Sequence, residues 1–427
     1  METVLIKNLA QYVGQIVEIS AWIYNLRSSG KISFWQLRDG SGFAQAILNA
    51  DDLPADQWTE ANKATMESAV KITAVVSKHP KQEAYELQVK DFTFYSIAQE
   101  YPISKKEHGP DFLLENRHLW LRSPKQWAIM RIRDTLIHAT YDWMRQHDFI
   151  KIDSPIITAS AGENTTDLFE IKYFEDKAYL AQTGQLYIEA AIAAHGRVFD
   201  FGPTFRAEKS KTKRHLTEFW MMDAEMAFVD LDDNLKIQED LVRYLVQTVL
   251  EKNQAELAIL ERDTKVLKNI AQPFHRLTHA AAVKKLNQLG SDIKEDEDLG
   301  GDDETLLTTE YDNPIFVTHY PAKIKAFYME RDDSGHAQCA DLLAPEGYGE
   351  IIGGSQREAD YDTLVKQIKE YGLKPEDYDW YLDLRKYGSV PHGGFGLGLE
   401  RIVTWVCGLQ HVREAIPFPR TIYRIKP

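Results

Sequence analysis

The chain has 427 residues and a formal net charge of −15. That length suits two or three domains, and the charge excludes indiscriminate nucleic-acid coating while leaving room for a local basic surface. Cys339 and Cys407 are the only cysteines, so neither a disulfide framework nor a cysteine zinc site is on offer, which fits a reducing compartment. The opening M-E-T-V-L-I-K-N-L is too short and polar for a secretory leader, and no apolar run approaches a membrane span. A cytoplasmic protein with no membrane contact is expected.

Residues 1–98 read as an all-β module. V-E-I-S-A-W-I alternates, N-L-R-S-S-G-K turns, and I-S-F-W-Q-L-R-D and F-A-Q-A-I-L follow around a G-S-G turn. A helix-compatible stretch from Ala55 to Ala69 precedes V-K-I-T-A-V-V and Y-E-L-Q-V-K-D-F-T-F. Five short strands with one helical interruption predict a small OB-type barrel. Such barrels stack single-stranded bases on aromatics beside cations. Arg27, Lys31, Phe34 and Arg38 are candidates for that, although the composition also suits a buried Phe34 among solvated cations.

Residues 99–127 are proline-bearing and basic and read as a linker. Ile129, Ile132, Leu136, Ile137, Ala139, Thr140, Trp143 and Met144 then recur at helical spacing, predicting a long amphipathic helix that ends near His147. Phe149–Ile152 starts a strand that stops at Ser154-Pro155. The loop 158–167 is small and polar, and residues 179–194 pass from strand through a T-G turn into a helix.

Next comes F-R-A-E-K-S-K-T-K-R-H-L-T-E-F, residues 205–219, a cation-rich segment between two apolar, strand-like flanks. It predicts a hairpin with Arg206 and Glu208 at its base and Lys209, Lys211, Lys213, Arg214 and His215 toward its tip. Several cations on one loop suit a polyphosphate, and they equally suit a solvated tip. Residues 231–260 and 275–289 have helical patterns. The acidic run 292–304 lacks calcium-loop spacing and reads as a solvated surface loop. P-I-F-V-T-H-Y-P, A-F-Y-M-E-R, C-A-D-L-L-A and G-E-I-I-G-G-S-Q-R-E read as strands, and P-H-G-G-F-G-L-G-L-E-R leads a glycine-rich strand into a helix. Neither G-x-G-x-x-G nor a G-K-[ST] phosphate loop is present.

Together these pieces resemble the class II aminoacyl-tRNA synthetases, and within them the asparaginyl enzymes, along the whole chain. F-R-A-E…R-H-L-T-E-F is similar to motif 2, G-L-G-L-E-R ending at Arg401 to motif 3, and the helix–strand–proline of Arg131–Pro155 to motif 1, a homodimer element. The N-terminal module, with G-K-I-S-F…L-R-D-G-S-G…Q, is similar to the anticodon-binding barrel of the aspartate, asparagine and lysine subgroup. The fold implied is α+β: an OB barrel (1–98), a hinge (99–127), and a catalytic domain (128–427) whose antiparallel sheet is flanked by helices, with a helical and acidic insertion around 254–312.

The resemblance implies a substrate set of ATP, L-asparagine and tRNA(Asn), with Mg2+ as the metal. By motif, Arg206 would clamp the α-phosphate and the amino-acid carboxylate, Glu208 would read the adenine edge, and Phe219 and Arg401 would cover its two faces. Arg214, His215 and Arg401 would meet the outer phosphates. Lys209, Lys211 and Lys213 would face tRNA or solvent. Asp341 and Glu350, helped by Ser355, would hold the metal. Arg357 and Asp223 would recognise the side-chain amide, and Gln185 and Glu163 the amino group. Arg27, Phe34 and Gln45 would contact the anticodon.

Aspartyl enzymes usually carry Q-S-P-Q-L-Y-K-Q, whose lysine meets the substrate carboxylate; this chain has Q-T-G-Q-L-Y-I-E, with Ile188 in that place. One departure from the asparaginyl pattern is Asp223, where the family commonly has Glu. Glu225 reads as a structural carboxylate, and alternation predicts His215, Phe219, Asp223 and Glu225 on one side of a strand. The alternatives are an aspartyl or non-discriminating enzyme, an adenylating asparagine synthetase that does not charge tRNA, and a non-catalytic tRNA-binding protein.

Overall fold

The computed structural model describes residues 3–81, 83–104, 106–159, 162 and 167–427. The chain forms two compact units, Met1–Gly109 and Pro110–Pro427.

In the first unit, β1 (Ile16–Ser29), β2 (Ile32–Arg38), β3 (Phe43–Asn49), α1 (Ala55–Ala61), β4 (Ala69–Lys78) and β5 (Tyr85–Ser96) follow in order. The strands close a barrel in the order β1-β2-β3-β5-β4, with β3 and β5 parallel and their neighbours paired antiparallel. Alternation decides the faces. Ser33, Trp35 and Leu37 of β2 point inward, and Phe34 and Gln36 are only half-buried on the outside. Trp35 is fully buried, edge-on to Phe92 with ring centroids 5.1 Å apart. Arg38, expected as a nucleic-acid contact, is instead structural. Its guanidinium donates to both Glu67 oxygens, at 3.1 and 2.8 Å, in a buried pair.

The second unit begins with α2 (Pro110–Glu115), α3 (Arg117–Trp120) and α4 (Pro124–Gln146). Part of the expected linker is therefore helical. Arg117 is buried and donates to the carbonyls of Pro417, Glu414 and Ile416. Helix α4 starts earlier than its apolar spacing predicts because Ser123 caps it, accepting from Gln126 N at 3.3 Å, with proline in the first turn.

Then come β6 (Ile150–Lys151), β7 (Ile157–Thr158), β8 (Glu170–Tyr173), β9 (Asp176–Leu180), α5 (Gln185–His195), β10 (Arg197–Phe199), β11 (Gly202–Phe205) and β12 (Glu218–Ala227). The next stretch holds α6 (Leu231–Lys252), α7 (Gln254–Ile259), α8 (Lys265–Lys268), β13 (His275–Thr278), α9 (His279–Gln288), α10 (Gly301–Thr308) and β14 (Ile315–Thr318). The last third holds β15 (Cys339–Ala344), β16 (Gly349–Gln356), α11 (Tyr361–Glu370), α12 (Asp379–Lys386), β17 (His392–Gly398) and α13 (Leu399–Cys407).

The large sheet runs β13-β14-β15-β16-β17-β12-β10-β6, and β11 also pairs with β12. It is antiparallel through its centre and parallel at both ends, where β13 meets β14 and β6 meets β10. Two expectations change. Residues 275–278 form a strand before the helix, because Thr278 caps α9 and stops it from extending upstream. A-F-Y-M-E-R is not a strand: it turns, with isolated bridges at Met329 and Arg331.

Alternation also splits the sheet into a packed face and an open one. Met222, Ala224 and Met226 of β12, Phe395 and Leu397 of β17, and Ala340 and Leu342 of β15 join a core shared with α4, α6 and α13. Their neighbours in sequence, Phe219, Met221, Asp223, Gly396 and Asp341, line a cavity on the other face.

Candidate active site

The cavity has a volume of about 450 Å3 and is floored by β12, β15, β16 and β17. At one end stand Arg206, Glu208, Arg214, His215, Phe219, Glu350 and Arg401. The β11–β12 hairpin presents the first of these. Arg206 N donates to Thr217 O at 3.0 Å, and Val412 N to Lys213 O at 3.0 Å, so the connection is tied at its base and near its tip. Phe219 packs against a small cluster of Leu216, Val412 and Ile416. His215 is exposed and precedes β12, which starts at Glu218, so the expected alternation holds for Phe219, Asp223 and Glu225 but does not extend to His215. Lys209, Lys211 and Lys213 are exposed on the tip.

Two cations at this end already have carboxylate partners. Arg401 Nη1 donates to Glu350 Oε2 at 2.7 Å and to the Glu350 carbonyl at 3.1 Å. Burial opposes the charge on Glu350, but Arg401, together with Lys325 and Arg206, holds the carboxyl below its ordinary range. Arg214 pairs with Glu304 and donates to Thr305 Oγ1 and the Gly347 carbonyl, both at 2.6 Å. Glu304 Oε2 also accepts from Glu350 N at 3.0 Å. The end of the acidic run is thus not a solvated loop. It folds into α10 and leaves Glu304 half-buried, its carboxyl pushed up to about 7 by desolvation and by Glu350. Gly349, at φ +73°, is required here, since a Cβ would collide with Glu304 and Arg214.

Asp223, Gln185 and Arg357 stand together at the opposite end. Asp223 Oδ2 accepts from Thr183 Oγ1 at 2.6 Å and Gly184 N at 2.9 Å, so the T-G turn orients the shorter carboxylate. Gln185 lines the cavity, and its Nε2 donates to Glu189 Oε1 at 3.1 Å. Glu189 is itself fully enclosed. Tyr381 donates to it at 2.7 Å and Arg385 at 2.9 Å, and His392 Nε2 lies at 3.2 Å.

Arg357 Nε and Nη2 both donate to Glu225, and Nη1 to Ser355 Oγ at 2.6 Å. Burial works against the Arg357 charge, and Glu225 outweighs it, holding the guanidinium far above its ordinary value. Gly394 leaves the space that Glu225 fills, as a Cβ there would overlap its carboxylate. Ile188 packs in an apolar cluster with Ile192 and Val198 and does not line the cavity.

Asp341 lies on the floor beside Glu350. Asp341 Oδ1 and Glu350 Oε1 approach the point where Gly353 would carry a Cβ, at 3.7 and 3.1 Å, so hard oxygen donors converge over that glycine. Burial raises Asp341 to about 6, although Lys325 Nζ donates to its Oδ2 at 2.8 Å. Ser355 is not brought into this pair: it is fully buried and its hydroxyl serves Arg357. Glu163 lies outside the described residues.

On the barrel, Arg27 and Phe34 face each other across β1 and β2, with the guanidinium 4.7 Å from the ring centroid. Gln45 lies on the adjacent strand, accepting from Gln36 at 2.7 Å and donating to Glu86 at 2.8 Å. An aromatic face, a cation and polar amides thus share the outer surface.

Sequence reasoning missed Thr183, Glu189, Glu304 and Lys325. The i, i+4 spacing of Gln185 and Glu189 was a usable signal. Glu304 and Lys325 reach the site through tertiary packing and leave none.

A family model described as tRNA synthetases class II (D, K and N) matches residues 109–422, and one described as OB-fold nucleic acid binding domain matches residues 17–94. Among solved structures, an asparaginyl-tRNA synthetase from Pyrococcus horikoshii complexed with asparaginyl-adenylate is 42% identical, with TM-score 0.96 and 100% of both chains covered. One from Entamoeba histolytica, also complexed with asparaginyl-adenylate, is 32% identical, with TM-score 0.90 and 100% of this chain and 99% of that one covered. A putative aspartyl-tRNA synthetase from Leishmania major Friedlin is 26% identical, with TM-score 0.86 and 100% and 95% covered.

Proposed function

The chain belongs to the class II tRNA synthetases of the aspartate, lysine and asparagine group, and from that membership we propose that it ligates L-asparagine to tRNA(Asn) through an asparaginyl-adenylate. The observation that carries this reading is full-length similarity, at 42% identity, to a synthetase holding that adenylate. The cavity chemistry supports it, with cations at one end and an Asp, Gln and Arg set at the other.

In the first step a carboxylate oxygen of asparagine bonds to the α-phosphorus of ATP, the bridging α–β P–O bond breaks, and pyrophosphate leaves. The substrate supplies the nucleophile, so the protein's part is to position and to stabilise developing phosphate charge. Arg206 serves the α-phosphate and the substrate carboxylate with its planar fork. Glu208 reads the adenine edge, and Phe219 and Arg401 cover its faces. Arg214, His215 and Arg401 hold the outer phosphates, which must compete with Glu304 and Glu350 for the arginines. Asp223 accepts from the side-chain NH2, Arg357 donates to its carbonyl, and Gln185 and Glu163 receive the amino group.

The convergent oxygens of Asp341 and Glu350 fit Mg2+, which when bound would neutralise phosphate charge. In the second step a ribose hydroxyl of tRNA takes the acyl group, and AMP departs with the former carboxylate oxygen. Arg27, Phe34 and Gln45 read the anticodon. The protein acts in the cytoplasm as a homodimer through Arg131–Pro155; among the described residues no helix is long and apolar enough to cross a membrane.

The test is ATP–pyrophosphate exchange with asparagine or aspartate, followed by tRNA charging. Exchange with asparagine and charged tRNA(Asn) are expected. Exchange with aspartate alone would overturn the reading, and exchange with asparagine but no charging would point to an asparagine synthetase.

A further inference from the structure

Resting on the tRNA-charging reading, the acyl acceptor has to bring its single-stranded 3′ end to the cavity mouth. A chain of net charge −15 repels that RNA unless a local surface attracts it. The segment 420–427, R-T-I-Y-R-I-K-P, has Arg420, Arg424 and Lys426 and no acidic residue. None of its residues lines the cavity.

Backbone pairing fixes where this segment lies. Thr217 N donates to the Arg420 carbonyl at 3.0 Å, and Glu218 and Arg420 form an isolated antiparallel bridge. Glu218 opens β12 directly before Phe219, which lines the cavity. The segment therefore runs beside the base of the β11–β12 hairpin. It is also closed on itself. Arg420 Nη1 donates to the Pro427 carbonyl at 2.7 Å, and Thr421 and Arg424 exchange backbone hydrogen bonds at 3.2 and 3.0 Å.

That turn presents an aromatic ring to solvent. Tyr423 is 80% exposed, and Ile425 beyond it is 79% exposed. The hairpin tip reaches the same ring, with Lys211 Nζ 5.6 Å from its centroid. Among the described residues, no carboxylate pairs with Lys209, Lys211 or Lys213, or with the three cations of the turn. An exposed ring beside unpaired cations suits a single strand, whose bases stack on the ring while its phosphates meet the charges. A double-helical stem would use the cations alone, because its bases are already stacked.

We propose that Tyr423, with Lys211 beside it, forms a stacking platform for the single-stranded 3′ end of tRNA at the cavity mouth, held there by the turn 420–427. Tyr423 meets neither ATP nor asparagine and acts on the transfer step alone.

The test compares wild type with Tyr423→Ala, Tyr423→Phe and Lys211→Gln in charging of tRNA(Asn) and in ATP–pyrophosphate exchange. It adds equilibrium binding of intact tRNA(Asn) and of the same tRNA without its single-stranded 3′ nucleotides. Tyr423→Ala should lower kcat/KM for charging about tenfold with exchange within about twofold of wild type, and Tyr423→Phe, which keeps the ring, should retain charging. Tyr423→Ala should also weaken binding of intact tRNA about tenfold and leave that of the shortened tRNA unaffected. Lys211→Gln should lessen the slope of log K against log salt by about 0.7, and an unchanged slope would overturn its share in the platform. Equal weakening of intact and shortened tRNA would overturn the proposal, because the contact would then lie elsewhere on the RNA. Equal losses in exchange and charging would overturn it too, leaving Tyr423 a structural residue. Unchanged charging would do the same, and a concurrent shift in sedimentation would make Tyr423 and Ile425 a protein–protein contact. Absence of tRNA(Asn) charging by the wild type would instead sink the function on which the proposal rests.

Discussion

At the residue scale, the end of the cavity that holds Asp223, Gln185 and Arg357 is built on carboxylates that are held by other side chains. Asp223 is one methylene shorter than the family's usual Glu, and the T-G turn compensates by donating to its Oδ2 from Thr183 and Gly184. Thr183→Val removes the hydroxyl donor without changing volume much. In pyrophosphate exchange the KM for asparagine should rise about tenfold while the KM for ATP stays within about twofold, and Thr183→Ser should restore it. That dependence was hard to read from sequence, where Thr183 is one residue of a turn. Its meaning comes from β12, which brings Asp223 beside it.

At the element scale, α10 and β16 decide how the cation-rich end of the cavity is built. Glu304 reaches from α10 to Arg214 and to the backbone N–H of Glu350, and Gly349 admits that approach. Gly349→Ala would introduce both a clash and a left-handed alanine, a strain of about 1–3 kcal/mol. Expected outcomes are a lower melting temperature and a several-fold rise in the KM for ATP, larger than any change in the KM for asparagine. An acidic run reads as solvated because composition reports charge and not where the chain returns. Only the packing of α10 beside β16 shows that one of its carboxylates is half-buried.

At the scale of the whole molecule, two compact units suit a division of labour between anticodon binding and adenylation. Phe34→Ala on the barrel should reduce kcat/KM for tRNA charging by about tenfold while pyrophosphate exchange is unchanged, since base stacking on one aromatic contributes about 1–3 kcal/mol. Equal losses in both assays would remove Phe34 from the anticodon surface. Acid sensitivity is a second global property. His411 is held down to about 4 by burial, with Arg413 and Lys213 adding repulsion, and its Nδ1 accepts from Arg413 N at 3.2 Å. The unfolded chain therefore binds this proton more readily, so its contribution is complete above about pH 6.5 and is lost as pH falls toward 4. In thermal melts, His411→Gln should show a shallower loss of stability than wild type across that window.

The sequence by itself determined the local and the linear features. These are the five-strand barrel, the long helix with its buried stripe, the polar hairpin between strand-like flanks, and the glycine-rich strand running into α13. Each of these is written in short-range periodicity or turn chemistry, which neighbours in the chain suffice to express. It also carried the resemblance, because motif residues keep their spacing. Tertiary structure alone decided the pairings. Arg38 turned from a nucleic-acid candidate into the partner of Glu67, and Ser355 from a metal helper into a support for Arg357. Glu225 became the partner of Arg357 and Glu304 a tie to Arg214. The reason is physical: a charged side chain must find its partner once it is removed from water, and that partner is chosen by the fold from any distance along the chain.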